Sequence, residues 1–422
     1  MHSPEETFDI KERAMSFRLQ YDRLMCLYRD AKAQAKSIHH CCIVCGAEDR
    51  DLRRNRCAQC QGAMDAIYNL DTVELQPSYN PLQKYFSLLP IQQCERALWL
   101  GEGNTPCVHA TSLGRSLGLY NLFLKNETTN PTRSTKDRIA SVGLSRLGEL
   151  GLRRFAIAST GNSSTAYARG VQLVEGFELH IFVGRHFLHR LNYADHPRVK
   201  TYVLDEDFVS AGKAAQAFAT EQKVFSEGGF FSLSRREGLK LAYLEAYDHM
   251  PEAPQYVFQA VSSGMGLLGA FKGALEYQLL GRLPDMPKFI AVQQASCSPM
   301  AAAFTEGVEA IGPQHIVQNP TGIAEAILRG DPSQSYPYIN FICRATGGQI
   351  LSVTETEIRQ AREVLAEHEE LQVCFASATA LAGLIKMKGW GGVAEGAPIL
   401  VNLTGANRPL APVPHDVIAW HN

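Results

Sequence analysis

The sequence predicts an α/β protein built on parallel sheets, and three observations carry this. Short apolar runs of strand character alternate with helical patterns from about residue 98 onward. The runs are apolar on both faces, as strands covered on both sides must be. Turns rich in Gly, Ser and Thr follow several runs, at the edge where open parallel sheets bind ligands.

In chain order, residues 7–36 read as one amphipathic helix, with Phe17, Tyr21, Leu24, Met25 and Tyr28 at helical spacing. A polar, Cys-rich module follows at 39–66. The turn-rich stretch Gln76-Pro77-Ser78-Tyr79-Asn80-Pro81 separates it from the rest. Leu119–Leu124 reads as a strand. The loop Asn130-Pro131-Thr132-Arg133-Ser134-Thr135-Lys136-Asp137-Arg138 follows and runs into a helix. Further strands are expected at 155–158, 179–183, 200–204, 256–261 and 289–293, with the last at 399–403. Helical patterns lie between them, for example at 355–367. No internal repeat or low-complexity tract is present.

Composition narrows the function classes. A chain of 422 residues is long enough for two or three domains. Hydrophobic content of 45% and charged content of 20% are those of a soluble globular protein. A formal net charge of −2 gives no basic footprint for nucleic acid. No run of about 20 apolar residues exists, so no membrane span is expected. The N-terminus is charged and lacks the apolar run of a secretory signal. Eleven cysteines without such a signal point to the cytoplasm, where they serve as metal ligands or small buried hydrophobes rather than disulfides.

Cys42-x-x-Cys45 and Cys57-x-x-Cys60 form two knuckles with eleven residues between them. Four thiolates at this spacing close a tetrahedral zinc site. A closed four-sulfur site leaves no position for substrate, so its role is structural. The competing reading is a ribbon that has lost its metal, and Cys41 is a possible substitute ligand. Arg50, Arg53, Arg54 and Arg56 are offset by Glu48, Asp49 and Asp51, which argues against a nucleic-acid surface.

Four loops carry the chemistry. Lys136 stands at a strand-to-helix turn, where a Schiff-base lysine would sit. Ser159-Thr160-Gly161-Asn162-Ser163-Ser164 offers hydroxyls and backbone amides at a helix N-terminus, an anion site suited to a substrate carboxylate. Asn162 adds a side-chain amide for a phenolic oxygen. Ser262-Ser263-Gly264-Met265-Gly266 places small residues before a helix, suited to a phosphate. It has neither dinucleotide glycine spacing nor a P-loop ending. Thr404, after the last strand, offers a hydroxyl to a ring nitrogen. Taken singly, the last two loops read as ordinary turns. Together the four supply the parts that hold pyridoxal phosphate.

Here the chain resembles the threonine synthase family of tryptophan-synthase-β-like, fold type II, pyridoxal phosphate enzymes. The resemblance covers most residues after about 38. It includes the paired CxxC knuckles, Glu102-Gly103-Asn104-Thr105-Pro106, the lysine loop, Ser159–Asn162, the stretch Glu325–Pro332 and Thr404-Gly405. It implies two open, twisted parallel-sheet domains with an N-terminal helix and zinc-ribbon-like module. The implied division is 1–75 for helix and ribbon, 76–140 with 246–422 for a large cofactor domain, and 141–245 for a small mobile domain.

Carried over residue by residue, Lys136 would be the catalytic, cofactor-linked lysine. Asn162, Ser262, Ser263, Gly264, Met265, Gly266 and Thr404 would bind the cofactor. Ser159, Thr160, Ser163 and Ser164 would lie near the substrate carboxylate. Ser134, Arg133, Lys125 and Lys240 would serve an anionic substrate group. Cys42, Cys45, Cys57 and Cys60 would hold zinc. The resemblance further implies a small amino-acid substrate, phosphorylated in the family pattern, and a homodimer.

Several positions depart from the family pattern. Arg133 replaces Gly, and Thr135 replaces Phe. Val373-Cys374-Phe375 replaces Val-Glu-Pro, and Ala406-Asn407-Arg408 replaces a His-Gly-Leu-Lys-like run. Ser232–Gly238 and Phe258–Gly264 are nearer to cysteate synthase, a relative that exchanges phosphate for sulfite. These departures suggest a paralogue with a changed substrate. The implied chemistry is elimination or replacement on an amino acid, at the β or γ carbon. A binding or regulatory paralogue without turnover is the alternative of a different class.

Overall fold

The computed structural model describes residues 22–31, 38–206, 208–408 and 413–420. Residues 22–31 are helical, and the rest of the helix expected over 7–36 lies outside the described residues. Within that segment Tyr28 is buried and donates to Glu276 Oε1 at 2.8 Å, so the segment docks on the main body.

Strands β1 (Ile38–Cys42) and β2 (Met64–Tyr68) form an antiparallel ribbon that frames the knuckles. Strands β3 (Cys107–His109) and β4 (Leu122–Asn126) belong to a six-stranded sheet. It is completed by β9 (Tyr256–Ala260), β10 (Lys288–Gln294), β11 (Gln349–Val353) and β12 (Ile399–Leu403). Its order is β11-β10-β9-β12-β4-β3, parallel except for β3 against β4. A second sheet holds β5 (Arg154–Ala158), β6 (Glu178–Gly184), β7 (Val199–Leu204), β8 (Phe225–Ser226) and β13 (Val417–Ala419). Its order is β13-β7-β6-β5-β8, and all its pairs are parallel.

Successive side chains of each strand alternate between the two faces of its sheet. Phe123, Val257, Phe289 and Leu400 pack into the core on one side of the large sheet. Leu124, Phe258, Ile290 and Val401 pack on the other. The second sheet is covered the same way, with Ile157 and Ile181 on one face and Ala156 and Phe182 on the other. This double cover is why the strands read as continuous apolar runs.

The expected strands are present, and their ends shift by up to three residues. Leu119–Leu124 becomes Leu122–Asn126, because Gly118 in the left-handed conformation first ends the preceding helix. Strands β3, β8, β11 and β13 were not expected. Strand β13 also redraws one boundary: the segment 246–422 was assigned whole to the large domain, yet Val417–Ala419 pairs with β7 of the other sheet.

Candidate active site

Strand β12 lies between β9 and β4, so three loops leave adjacent strand ends on one edge. These are the lysine loop after β4, Ser262–Gly266 after β9 and Thr404-Gly405 after β12. The Ser159–Asn162 loop after β5 comes from the second sheet. One cavity is lined by all four: by Lys136 and Thr404, by Ser159, Thr160, Asn162 and Ser163, and by Ser262, Ser263, Gly264, Met265 and Gly266.

Lys136 opens helix α1 (Lys136–Glu149), and its backbone N–H donates to Ser134 Oγ at 3.3 Å. The loop before it is laced to the last turn. Thr135 N donates to Thr404 O at 2.9 Å, and Ala406 N donates to Arg133 O at 2.9 Å. Burial pushes the Lys136 amine down to about 8, helped by the charge of Arg235 and opposed by Glu127. A neutral amine is therefore accessible near neutral pH, as a nucleophile or a general base requires.

The other loops are held just as tightly. Ser159 Oγ accepts from Gly161 N at 3.1 Å and from Ser164 N at 3.0 Å. This caps helix α2 (Asn162–Leu173), which Asn162 begins. The phosphate-type cup precedes helix α3 (Met265–Leu279), fifteen residues long. Its first amides and dipole favour an anion at that end. Gly264 has φ 83°, and a Cβ there would lie 2.3 Å from Ile339 Cδ1, so only glycine fits. Beneath Thr404, Ser377 Oγ accepts from Gly405 N at 2.8 Å and lies 3.4 Å from Thr404 Oγ1.

Two buried polar atoms have no hydrogen-bond partner and belong to residues lining this cavity: Thr135 Oγ1 and Arg235 Nη2. An amine, an anion cup, a side-chain amide and a hydroxyl around a cavity with unsatisfied donors fit pyridoxal phosphate. Residues 98–405 match the family of pyridoxal-phosphate dependent enzymes.

The chain belongs to that family.

Within it the protein is threonine synthase-like, of fold type II. It is 30% identical over 379 residues to a threonine synthase of Methanosarcina acetivorans, covering 87% of this chain and 91% of the relative. It is 28% identical over 338 residues to a cysteate synthase of Methanococcoides burtonii, covering 77% of this chain and 79% of the relative. A threonine deaminase from Solanum lycopersicum shares the fold, with a TM-score of 0.57 at 17% identity over 72% of this chain and 80% of that one. The coarse chemistry these relatives support is pyridoxal-phosphate-dependent elimination or replacement.

Not every expected residue of this pyridoxal-phosphate enzyme reaches the cavity. Lys125 and Lys240 were expected to anchor substrate, but both are buried elsewhere in ion pairs. Lys125 Nζ meets Glu245 Oε2 at 2.7 Å, and Lys240 Nζ meets Glu276 Oε2 at 2.8 Å. For Arg133 two places were open, beside substrate or turned to solvent or Asp137; its side chain is exposed and does not line the cavity. It has φ 59°, so the family's glycine suits that backbone, and arginine adopts it at a cost. Ser134 and Ser164 also lie off the cavity wall and serve the loops. Ser134 takes the Lys136 amide, and Ser164 Oγ donates to Gly161 O at 2.9 Å.

Sequence reasoning did not assign three residues that line the cavity, nor Arg408, which contacts the lining residue Asn162. Arg235 Nε binds Glu227 at 2.6 and 2.7 Å, and its Nη1 donates to Ser163 Oγ at 3.3 Å. Gln259 lines the cavity and accepts from Asn402 Nδ2 at 3.1 Å and from the Tyr243 hydroxyl. Arg329 lines it with its guanidinium over the Phe208 ring at 5.5 Å. Arg408 donates to Asn162 Oδ1 at 2.7 Å. The Arg235 signal lay in the partly matched Ser232–Gly238 motif. The other three also lie in stretches compared with the family pattern, Phe258–Gly264, Glu325–Pro332 and Ala406–Arg408, but nothing in those stretches marked the single residue.

The four knuckle thiols converge. Their sulfurs all lie within 4.8 Å of one another. Cys42 Sγ is 3.5 Å from Cys60 Sγ, and Cys45 Sγ is 3.6 Å from Cys57 Sγ. Tetrahedral zinc with Zn–S of about 2.3 Å requires sulfurs roughly 3.8 Å apart. Val44 N and Gln59 N point at Cys42 Sγ and Cys57 Sγ at 3.4 Å, which favours thiolates. The donor set fits zinc. No helix among the described residues is long and apolar enough to cross a membrane.

Proposed function

We propose that the enzyme removes or replaces a phosphate-type leaving group on an amino acid, as a threonine synthase paralogue with an altered substrate. The observation that carries this is the pair of guanidinium groups, Arg235 beside Lys136 and Arg329, that line one cavity. Among the described residues no carboxylate is in ion-pair contact with Arg329, and burial pushes its guanidinium down while Asp331 opposes. Two cations on one wall call for an anionic group on the substrate, beyond its own carboxylate.

Pyridoxal phosphate, when bound, supplies the electron sink. Lys136 would link to it and, once displaced by substrate, would take the proton from Cα through Nζ. Ser159, Thr160 and Ser163 would hold the substrate carboxylate at the α2 N-terminus. Asn162 would meet the ring oxygen, the Ser262–Gly266 amides the phosphate, and Thr404 the ring nitrogen. Phe208, Phe230 and Ile327 add apolar surface to the cavity wall. The proposal extends to a cytoplasmic homodimer with one structural zinc per chain, which light scattering and metal analysis would test.

The second reading is cysteate synthase-like replacement on O-phosphoserine by sulfite or another nucleophile. The run Phe258-Gln259-Ala260-Val261 and the 28% identical relative favour it. The experiment is phosphate release from O-phosphohomoserine and from O-phosphoserine. Threonine from the first alone supports synthase chemistry. Release from the second only with added sulfite supports β-replacement. If neither releases phosphate, the phosphate proposal fails. If the protein also takes up no cofactor, the binding or regulatory alternative stands.

A further inference from the structure

Arg408 follows the Thr404-Gly405 turn, in a run where the family pattern carries other residues. Its guanidinium donates to three oxygens from three loops. Nε reaches Thr132 O at 2.9 Å, Nη1 reaches Arg190 O at 3.3 Å, and Nη2 reaches Asn162 Oδ1 at 2.7 Å. A guanidinium has donors only, so the carboxamide atom facing it must be oxygen. The rotation of the Asn162 amide is therefore set by chemistry. Its Nδ2 is turned the other way and makes no hydrogen bond among the described residues, and Asn162 lines the cavity beside Lys136.

We infer that Arg408 is a positioning residue: it locks the Asn162 carboxamide with Nδ2 toward the cofactor's ring oxygen and polarises that N–H. A cation bonded to an amide oxygen withdraws electron density and strengthens the opposite N–H as a donor. Among the described residues no carboxylate is in ion-pair contact with Arg408, and Asp137 acts on it only through its charge. The charged and titratable groups nearest it are Arg190, Asp137 and Cys374. Lys136 and Arg235 face the cavity from the other side, and none of these donates to Asn162 Oδ1. The amide would stabilise an anionic ring oxygen. The inference rests on the cofactor assignment and is independent of which substrate is used.

The test is a double-mutant cycle on the cofactor-loaded protein, read without substrate. The measured quantities are the pH midpoint of the visible absorbance band and the dissociation constant for pyridoxal phosphate. Arg408→Ala should raise the midpoint by about one pH unit and weaken cofactor binding about tenfold. Arg408→Lys, which still donates to Oδ1, should recover part of both. Asn162→Ala should shift both as Arg408→Ala does, and the double variant should add nothing further. Asn162→Asp keeps a partner for Arg408 but has no N–H to offer, so it should behave like Asn162→Ala. Additive shifts overturn the inference. So does an Arg408→Ala protein that is less heat-stable with an unchanged midpoint and affinity. If Arg408→Ala does not fold, Arg408→Gln carries the test: it removes the charge, so a midpoint and affinity shifted toward those of Asn162→Ala support the inference and wild-type values overturn it.

Discussion

Glu227 grips Arg235 through both carboxylate oxygens, at 2.6 and 2.7 Å from Nε, and leaves Nη2 unpartnered beside the cavity. Tyr167 donates to the same carboxylate at 2.9 Å. The carboxylate fixes the guanidinium on the cavity wall. Arg235→Gln should therefore cut kcat/KM for a phosphorylated substrate by about 10–100-fold, the loss of a charge-assisted hydrogen bond. It should leave the cofactor band in place. The variant also strands Glu227, so stability should fall. Arg235→Gln with Glu227→Gln should recover stability without recovering KM. An unchanged KM in either would remove Arg235 from substrate recognition.

Lys136 makes a pH prediction that needs no substrate. Its amine titrates near 8 because burial and Arg235 disfavour the charge. Only the neutral amine attacks an aldehyde. Cofactor uptake by the apoprotein should therefore accelerate as pH rises toward 8, about tenfold per unit well below it, and level off above. Stopped-flow absorbance checks this. Lys136→Ala should abolish both the linked-cofactor band and turnover.

The contrast between Lys136 and Lys240 shows what could be read from sequence. Strand identity was legible because parallel strands buried on both faces are nearly pure apolar runs. The lysine loop was legible because its residues are contiguous. Lys240 could not be placed, because a lysine's role depends on what lies across the fold from it. Besides Glu237 on its own helix, Lys240 pairs with Glu276, 36 residues away on a helix whose packing no local pattern encodes. The same holds for Arg408, whose contact with Asn162 spans 246 residues. The edge strand β13 escaped because three residues with two exposed positions carry no periodic signal.

Arg138 is buried between Glu127 and Glu245, with Nε 2.7 Å from Glu127 Oε2 and Nη2 2.7 Å from Glu245 Oε2. These contacts tie the lysine helix to the helix Leu233–His249. Arg138 and Lys125 hold the Glu245 carboxyl at about 2, against an ordinary 4.5. A depressed carboxylate contributes stability above its unfolded pKa and loses it as pH falls through the folded one. Glu245 should thus contribute about 3 kcal/mol at neutral pH, lost between about 4.5 and 2. Arg138→Met should cost about 3–5 kcal/mol, because two buried carboxylates lose their partner. Its acid unfolding should be shallower over that pH window. Urea denaturation at a series of pH values measures both.

The ribbon should report on the main body. Asp65 on β2 pairs with Lys272 at 2.8 Å, and Tyr68 donates to Glu237 at 2.9 Å. These buried contacts bind the four-cysteine ribbon to two core helices. Cys57→Ser should release the metal and lower the unfolding temperature, since structural zinc supplies folding free energy. The cofactor band should persist, because none of the four cysteines lines the cavity. Metal content by mass spectrometry with calorimetry separates the two effects. A purified protein without zinc that is as stable as the zinc-loaded form would assign the thiols a role as buried apolar groups.

Arg133 provides the sharpest check on where substrate preference resides. From sequence it stood out as the charged departure beside the lysine. In the fold its side chain faces solvent and its backbone is left-handed at φ 59°. A side chain there costs roughly 1–2 kcal/mol, partly offset by the smaller unfolded-state entropy of a non-glycine residue. Arg133→Gly should therefore raise stability by up to about 1 kcal/mol. It should leave KM for every accepted substrate unchanged. Arg329→Leu, by contrast, should raise KM for anionic substrates, because that guanidinium lines the cavity. If the two variants exchange these phenotypes, the anionic group of the substrate lies at the rim beside Arg133 and not on the inner wall.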